Sequence, residues 1–300
     1  MDVEDVDALA SRWMSFVDGT TQQLGMLLAE AEPLFEQALR EHPLEPAHLE
    51  EAARKLTASL AGLESAVDAA WTTLETDIDR LVSATGDTRL YARREALEGA
   101  RWELHGLLEV QGEEFLVRKA GEAGRRALAL AREELQRVRE QGVPCGGCGA
   151  PLFPQVLHET ASVTCPKCRL MSEVSPGPVV QAYLAGGSAD AIGKEAAWKE
   201  GLALREAESH FEALEGPTEA DAKVYEAAAA AYWRAYAQAR GEATPGWNPA
   251  RLEADVERQL AGVRERARRA LKRTPSFLWE VANKAGQRGA VRRGGSNGPH

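Results

Sequence analysis

Cys145-Gly146-Gly147-Cys148, then sixteen residues, then Cys165-Pro166-Lys167-Cys168: this stretch decides how the 300-residue chain is read. Each Cys-x-x-Cys pair is short enough to close a tight knuckle that turns two sulfurs toward one ion. Two knuckles brought together by a hairpin complete a tetrahedral set of four thiolates. The chain has four cysteines in all, so none is left over for a long-range disulfide.

The C-x2-C-x16-C-x2-C pattern resembles the zinc-ribbon family over residues 143–174, about a tenth of the chain. The resemblance implies one structural zinc ion held by Cys145, Cys148, Cys165 and Cys168. Iron in a rubredoxin-like site uses the same ligands, and spacing alone does not separate the two metals. The intervening residues suit a hairpin. Leu152-Phe153 and Val156-Leu157 form one expected strand region, Ser162-Val163-Thr164 leads into the second knuckle, and Met171–Val174 supplies a third strand. Gly149 follows the first knuckle, where a positive φ is often needed, whereas Arg169 holds the matching position after the second. Four thiolates fill the coordination sphere and leave no position for water or substrate, so the metal is read as structural. His158, between the knuckles, reads as a surface residue and not as a fifth ligand.

Helices are expected on both sides of this motif. Val6, Leu9, Trp13, Phe16/Val17, Leu24, Leu27/Leu28, Ala31, Leu34/Phe35 and Ala38 recur in steps of three and four, with one double step of seven from Val17 to Leu24, which makes one apolar stripe on a helix. Pro33 inside that stripe predicts a kink or a restart, and His42-Pro43 ends the segment. A second helix starts near Pro46 and stops at Thr85-Gly86-Asp87. A third runs from Thr88 to about Gln141, with bends expected at Gly106, Gly112, Gly121 and Gly124. Helices of this length with short connections pack best as an antiparallel bundle. Beyond the cysteines, Ser175-Pro176-Gly177-Pro178 is a turn-rich linker. Helices follow over about 188–214, over about 218–240 from a Thr218/Asp221 capping box, and from Asn248-Pro249 to about Lys272. A last short helix is expected around Phe277, Leu278, Trp279 and Val281.

The fold class is therefore mainly α. The expected organisation is a long antiparallel three-helix bundle over 1–141, a small β zinc ribbon over 142–176, a C-terminal helical domain over 177–286, and a disordered basic tail over 287–300. Leu34 to Pro43 resembles the end of a tetratricopeptide repeat, but the chain lacks the repeat's Trp, Leu-Gly and Tyr positions and its period.

Charge is unevenly spread. Residues 1–140 hold 16 Lys/Arg against 28 Asp/Glu, whereas residues 264–300 hold 10 basic residues against Glu265 and Glu280. An acidic body repels polyanions, while Arg264, Arg266, Arg268, Arg269, Lys272 and Arg273 form a segment that could contact nucleic acid or anionic lipid. The N-terminus is acidic and has no apolar run, so it does not read as a signal peptide. No stretch reaches the roughly 20 apolar residues that cross a bilayer. Together these features predict a soluble, cytoplasmic protein.

Catalytic constellations are not evident. Asp68, Glu75, Asp77 and Asp79 read as a charged helix face, as do Glu113-Glu114 and Glu133-Glu134. His42, His48, His105 and His210 are read as having no partner at ligand spacing. Gly186-Gly187 lacks the Lys-Ser/Thr of a phosphate loop. Seven tryptophans read as core and inter-helix packing, with partner anchoring as the alternative. The expected function is a non-enzymatic scaffold or adaptor that engages protein partners, and the alternative is a nucleic-acid-associated regulator.

Overall fold

A computed structural model describes residues 3–86 and 89–273. It is 79% helical, with eight α-helices and two small two-stranded sheets among the described residues. The chain divides into two compact units, Met1–Glu195 and Ala196–His300.

The first unit opens with α1 (Val3–Glu41), α2 (Pro46–Thr85) and α3 (Arg89–Gln141), and each of these helices packs on the other two. Their apolar stripes meet along one core that includes Trp13, Leu24, Phe35, Val67, Trp71, Leu104 and Phe115. Trp13 meets Trp71 edge-on at 5.3 Å, and its indole N–H donates to the Leu97 carbonyl at 3.1 Å. Phe35 meets Phe115 the same way at 5.4 Å. Each such buried ring contributes about 1.5–3 kcal/mol of transfer free energy, so the aromatics tie all three helices together.

α1 runs unbroken through Pro33 and does not restart there. Proline removes one N–H donor, but Ala31 and Phe35 on either side are buried in the core, and their packing holds the helix continuous. α2 begins at Pro46 and ends on Gly86, whose φ is 69° and whose N–H caps Val82. α3 also continues through its glycines. At Gly124 a Cβ would come within 2.6 Å of the Ser188 carbonyl. That glycine is a point of close approach to a later helix and not a breaker.

After α3 come β1 (Val143–Pro144), β2 (Pro151–Leu152), β3 (Ala161–Thr164) and β4 (Met171–Val174). β1 pairs antiparallel with β2, and β3 with β4. Each hairpin therefore encloses one Cys-x-x-Cys knuckle. This corrects the expected strand region of Leu152-Phe153 and Val156-Leu157: Leu152 alone lies in a strand, and Phe153, Val156 and Leu157 lie outside any. The physical reason is local: each knuckle draws its own flanking residues into register.

α4 (Pro178–Ala185) and α5 (Ser188–Ala196) follow. α4 packs back on α3 through Val180 and Tyr183 against Ala127 and Ala131. Glu134 of α3 accepts the Val180 N–H at 2.9 Å, capping the start of α4. Gly177 leaves room for that carboxylate. The segment from 177 to 195 thus lies with the first unit, and the chain divides between Glu195 and Ala196. The ribbon accordingly links α3 to α4 within one unit.

The second unit contains α6 (Trp198–Ala213), α7 (Glu219–Ala243), a short 3-10 turn at Pro249–Arg251 and α8 (Leu252–Arg273). The single helix expected over 188–214 is two, separated at Ala197. Thr218 and Asp221 form the expected capping box at α7, and Asn248 caps the turn that leads into α8. Phe211, Tyr225, Ala229, Val256, Leu260 and Val263 make the core of this unit. The helix expected around Phe277, Leu278, Trp279 and Val281, and the tail 287–300, lie outside the described residues.

Candidate metal centre

The first knuckle is built by two backbone hydrogen bonds. Cys145 N–H donates to the Ala150 carbonyl and Gly149 N–H to the Cys145 carbonyl, both at 2.8 Å. The second repeats them: Cys165 N–H to Leu170 at 2.8 Å, and Arg169 N–H to Cys165 at 2.9 Å. This repetition sets the backbone at equivalent positions. Gly149 has φ 71° and Arg169 has φ 61°. Arg169 therefore adopts the left-handed conformation that glycine takes without a steric cost. Arg169→Gly is expected to stabilise the ribbon by about 0.5–1 kcal/mol. Slower metal loss to a competing chelator would bear this out, and unchanged or faster loss would refute it.

Knuckle closure brings all four sulfurs within 4.8 Å of one another. Cys145 and Cys168 lie 3.6 Å apart across the centre, as do Cys148 and Cys165. A disulfide would require about 2.0 Å. A tetrahedron with metal–sulfur bonds of about 2.3 Å has edges of about 3.8 Å, so the spacing fits one ion held by four sulfurs. Leu152, Val174, Cys145 and Cys165 form the small buried core behind the site.

Electrostatics favours thiolate at two positions. The backbone N–H groups of Gly147 and Cys148 hold the Cys145 thiol below its ordinary value, the former at 3.4 Å from Sγ. The N–H of Cys168, aided by that of Lys167, takes Cys165 down to about 6. Cys168 moves the other way, up to about 12. The Leu170 N–H favours its thiolate, but the neighbouring sulfurs, beginning with Cys148, and desolvation outweigh that. Four like charges this close resist common ionisation, and a divalent cation relieves the conflict. Donor set and spacing make this a possible metal-binding cluster, consistent with a zinc-ribbon-like site. His158 stands apart from it and lies 3.8 Å from Glu159.

The other expected sites resolve differently. Asp68 pairs with Arg101 at 2.7 Å and with His105 at 3.1 Å, which holds its carboxyl below the usual range, chiefly through Arg101. Glu75 pairs with Arg94, Asp77 with Arg80, and Asp79 lies 3.9 Å from Arg94. The acidic face thus consists of ion pairs, most of them bridging α2 and α3. On α8, Arg264 is held by Glu257 and Glu226, and Arg266 by Glu208. Arg268 and Arg269 share Glu265. Four of the six candidate polyanion contacts therefore already face carboxylates. Lys272 is exposed at the end of α8, and the Arg273 side chain lies outside the described residues. Trp13 and Trp71 are core residues as expected, but Trp102 is 59% exposed and lies under the Arg101 guanidinium at 5.0 Å.

One grouping was missed by sequence reasoning. His42, Glu45 and His48 converge on the turn between α1 and α2, with one potential ligand atom from each within 4.8 Å of the others. Glu45-Pro46-Ala47-His48 carries the Glu-x-x-His spacing that could have revealed it.

Compared with known protein families, curated proteins and solved structures, the chain matches none of them. Among the described residues, no helix is long and apolar enough to cross a membrane.

Proposed function

We propose that this protein is a non-enzymatic helical scaffold or adaptor, in which Cys145, Cys148, Cys165 and Cys168 hold one structural zinc ion. Zinc, when bound, compensates the four thiolates and supplies folding free energy that so small a hairpin core cannot. The cysteines then hold the two hairpins together and present their outer surface. The observation that carries this reading is the exposure of apolar side chains there. Met171 is 70% exposed, and Phe153 and Leu170 are exposed as well. Large apolar groups left in water favour a protein-binding surface where they adjoin one another. The ion pairing along α8 weighs against the nucleic-acid alternative, since paired cations release fewer counterions on binding a polyanion.

Capture of the tagged full chain from its native host, with and without nuclease, tests the proposal. Leu170→Ser combined with Met171→Ser is the control. The expected result is a protein partner retained through nuclease treatment and depleted at least about tenfold by the double substitution, equivalent to about 1.4 kcal/mol or more. Partners that vanish with nuclease would overturn the adaptor reading in favour of nucleic acid.

A further inference from the structure

α1 closes at Glu41, and the next seven residues are His42-Pro43-Leu44-Glu45-Pro46-Ala47-His48. Two prolines fix φ within this turn, and the Glu45 N–H donates to the His42 carbonyl at 3.1 Å. The turn thereby places His42, the last residue before α2 and the first turn of α2 on one side. His42 Nδ1 lies 3.7 Å from one Glu45 carboxylate oxygen. His48 Nε2 lies 3.3 Å from the other. The two imidazole rings stack at 3.7 Å with only 15° between their planes.

Glu45 also occupies the N-cap position of α2 yet makes no side-chain cap bond. The short side chains of Ser, Thr, Asp and Asn accept from the first-turn N–H groups at this position, whereas glutamate is not among the preferred caps. Glu45 turns to the imidazoles instead. Two neutral imidazoles and one carboxylate are the donor set that suits borderline divalent ions.

We propose that His42, Glu45 and His48 form a second metal site, suited to a borderline divalent ion such as zinc. Each residue gives one ligand atom. Three protein donors leave coordination positions open, which distinguishes this site chemically from the four-cysteine cluster. Parallel rings aim their lone pairs along parallel lines, whereas metal–nitrogen bonds of about 2.0–2.1 Å require them to converge. Binding therefore tilts the rings out of their stack. Their side chains are 36% and 43% exposed, so the tilt needs no repacking of the core. His42 and Glu45 also line an apolar cavity of about 320 Å³, walled further by Leu49, Leu116, Ala120 and Ala182. The ion would sit at the lip of that cavity and face water on its outer side, where the Glu45 side chain is 65% exposed.

The test is calorimetric titration of Zn2+ into tag-free full-length protein that already holds its tightly bound zinc, with helicity monitored throughout. A further equivalent is expected to bind the wild-type chain. His42→Ala and His48→Ala are expected to abolish it, and Glu45→Gln to weaken it at least about tenfold, or about 1.4 kcal/mol. The histidine ring resonances of the wild type should shift on addition of metal as the stack opens. The same titration in Cys165→Ser separates the two sites. Uptake that persists there but disappears with His48→Ala supports the turn site whatever the cysteines hold. No uptake beyond the cysteine-bound equivalent, or uptake insensitive to all three turn substitutions, overturns the proposal.

Discussion

Cys165→Ser is expected to release the metal from the ribbon and to unfold residues 143–174 while leaving the helical bundle intact. Cys165 is fully buried, and its thiol is the most readily ionised of those that shift, at about 6. A serine hydroxyl does not ionise in that range and cannot replace the thiolate. Structural zinc sites in small peptides supply apparent free energies of about 10–16 kcal/mol near neutral pH. The hydrophobic cluster of the ribbon has four buried residues, two of them the cysteines themselves, and cannot offset a loss of that size. The bundle has its own core around Trp13, Phe35, Trp71 and Phe115 and does not draw on the ribbon's. Elemental analysis should therefore fall from about one zinc per chain toward none at the cysteines. Hydrogen exchange should lose protection over 143–174 and keep it in α1, α2 and α3. A variant that retains its zinc, or shows unchanged exchange in the ribbon, would refute the assignment.

The second large effect is expected inside the bundle. Lys119 is fully buried, and its ammonium touches Glu32 at 2.5 Å, Glu122 at 2.8 Å and Glu36 at 3.2 Å. Desolvation pulls its pKa down, but the bonds to Glu122, Glu32 and Glu36 outweigh it and leave the value raised. Arg118 and Arg126 grip the outer sides of the same carboxylates. Lys119→Met matches the buried volume but removes the central cation, so Glu32, Glu36 and Glu122 face one another with less compensation. The expected cost is about 2–4 kcal/mol in urea denaturation, toward the lower side of what breaking a buried charge group gives, because the carboxylates keep some water and two arginines.

The sign with pH follows from the same contacts. Glu32 and Glu36 have depressed pKa values, chiefly through Arg118 and Arg126 respectively. Their contribution to stability is present above the ordinary carboxylate value of 4.5 and is lost as pH falls through their lowered values. Lys119 is raised, so its contribution holds below 10.5 and is lost as pH rises through its folded value. The penalty of Lys119→Met should therefore shrink in acid below about pH 4. A penalty that stayed constant there would mean that packing, and not charge, sets the cost.

Much of the helical architecture was legible because its signals are local. Pro46 and Gly86 bracket α2, and Thr218 with Asp221 opens α7. The four cysteines were legible as a set because knuckle spacing is short. The strand pairing was misread because hydrophobicity pointed to Leu152-Phe153 and Val156-Leu157. The pairing is set instead by backbone bonds from Cys145 to Ala150 and from Cys165 to Leu170. The interruption at Ala197 had no warning, since the residues around it are good helix formers. Lys119 meets Glu32 across 87 positions of sequence, and no periodicity encodes such a meeting. His42 and His48 are read as having no partner at ligand spacing, although Glu45 lies three residues from each.

The cap that Glu134 places on α4 has an architectural consequence. Chain leaves α3 at Gln141 and returns beside Glu134, seven residues back along the same helix, or about 10 Å at 1.5 Å per residue. The ribbon is thus an insertion whose two attachment points are near neighbours, a detachable cassette and not a strut. A few residues of plain turn would bridge the gap, so α4 could reach its place on α3 without the ribbon between them.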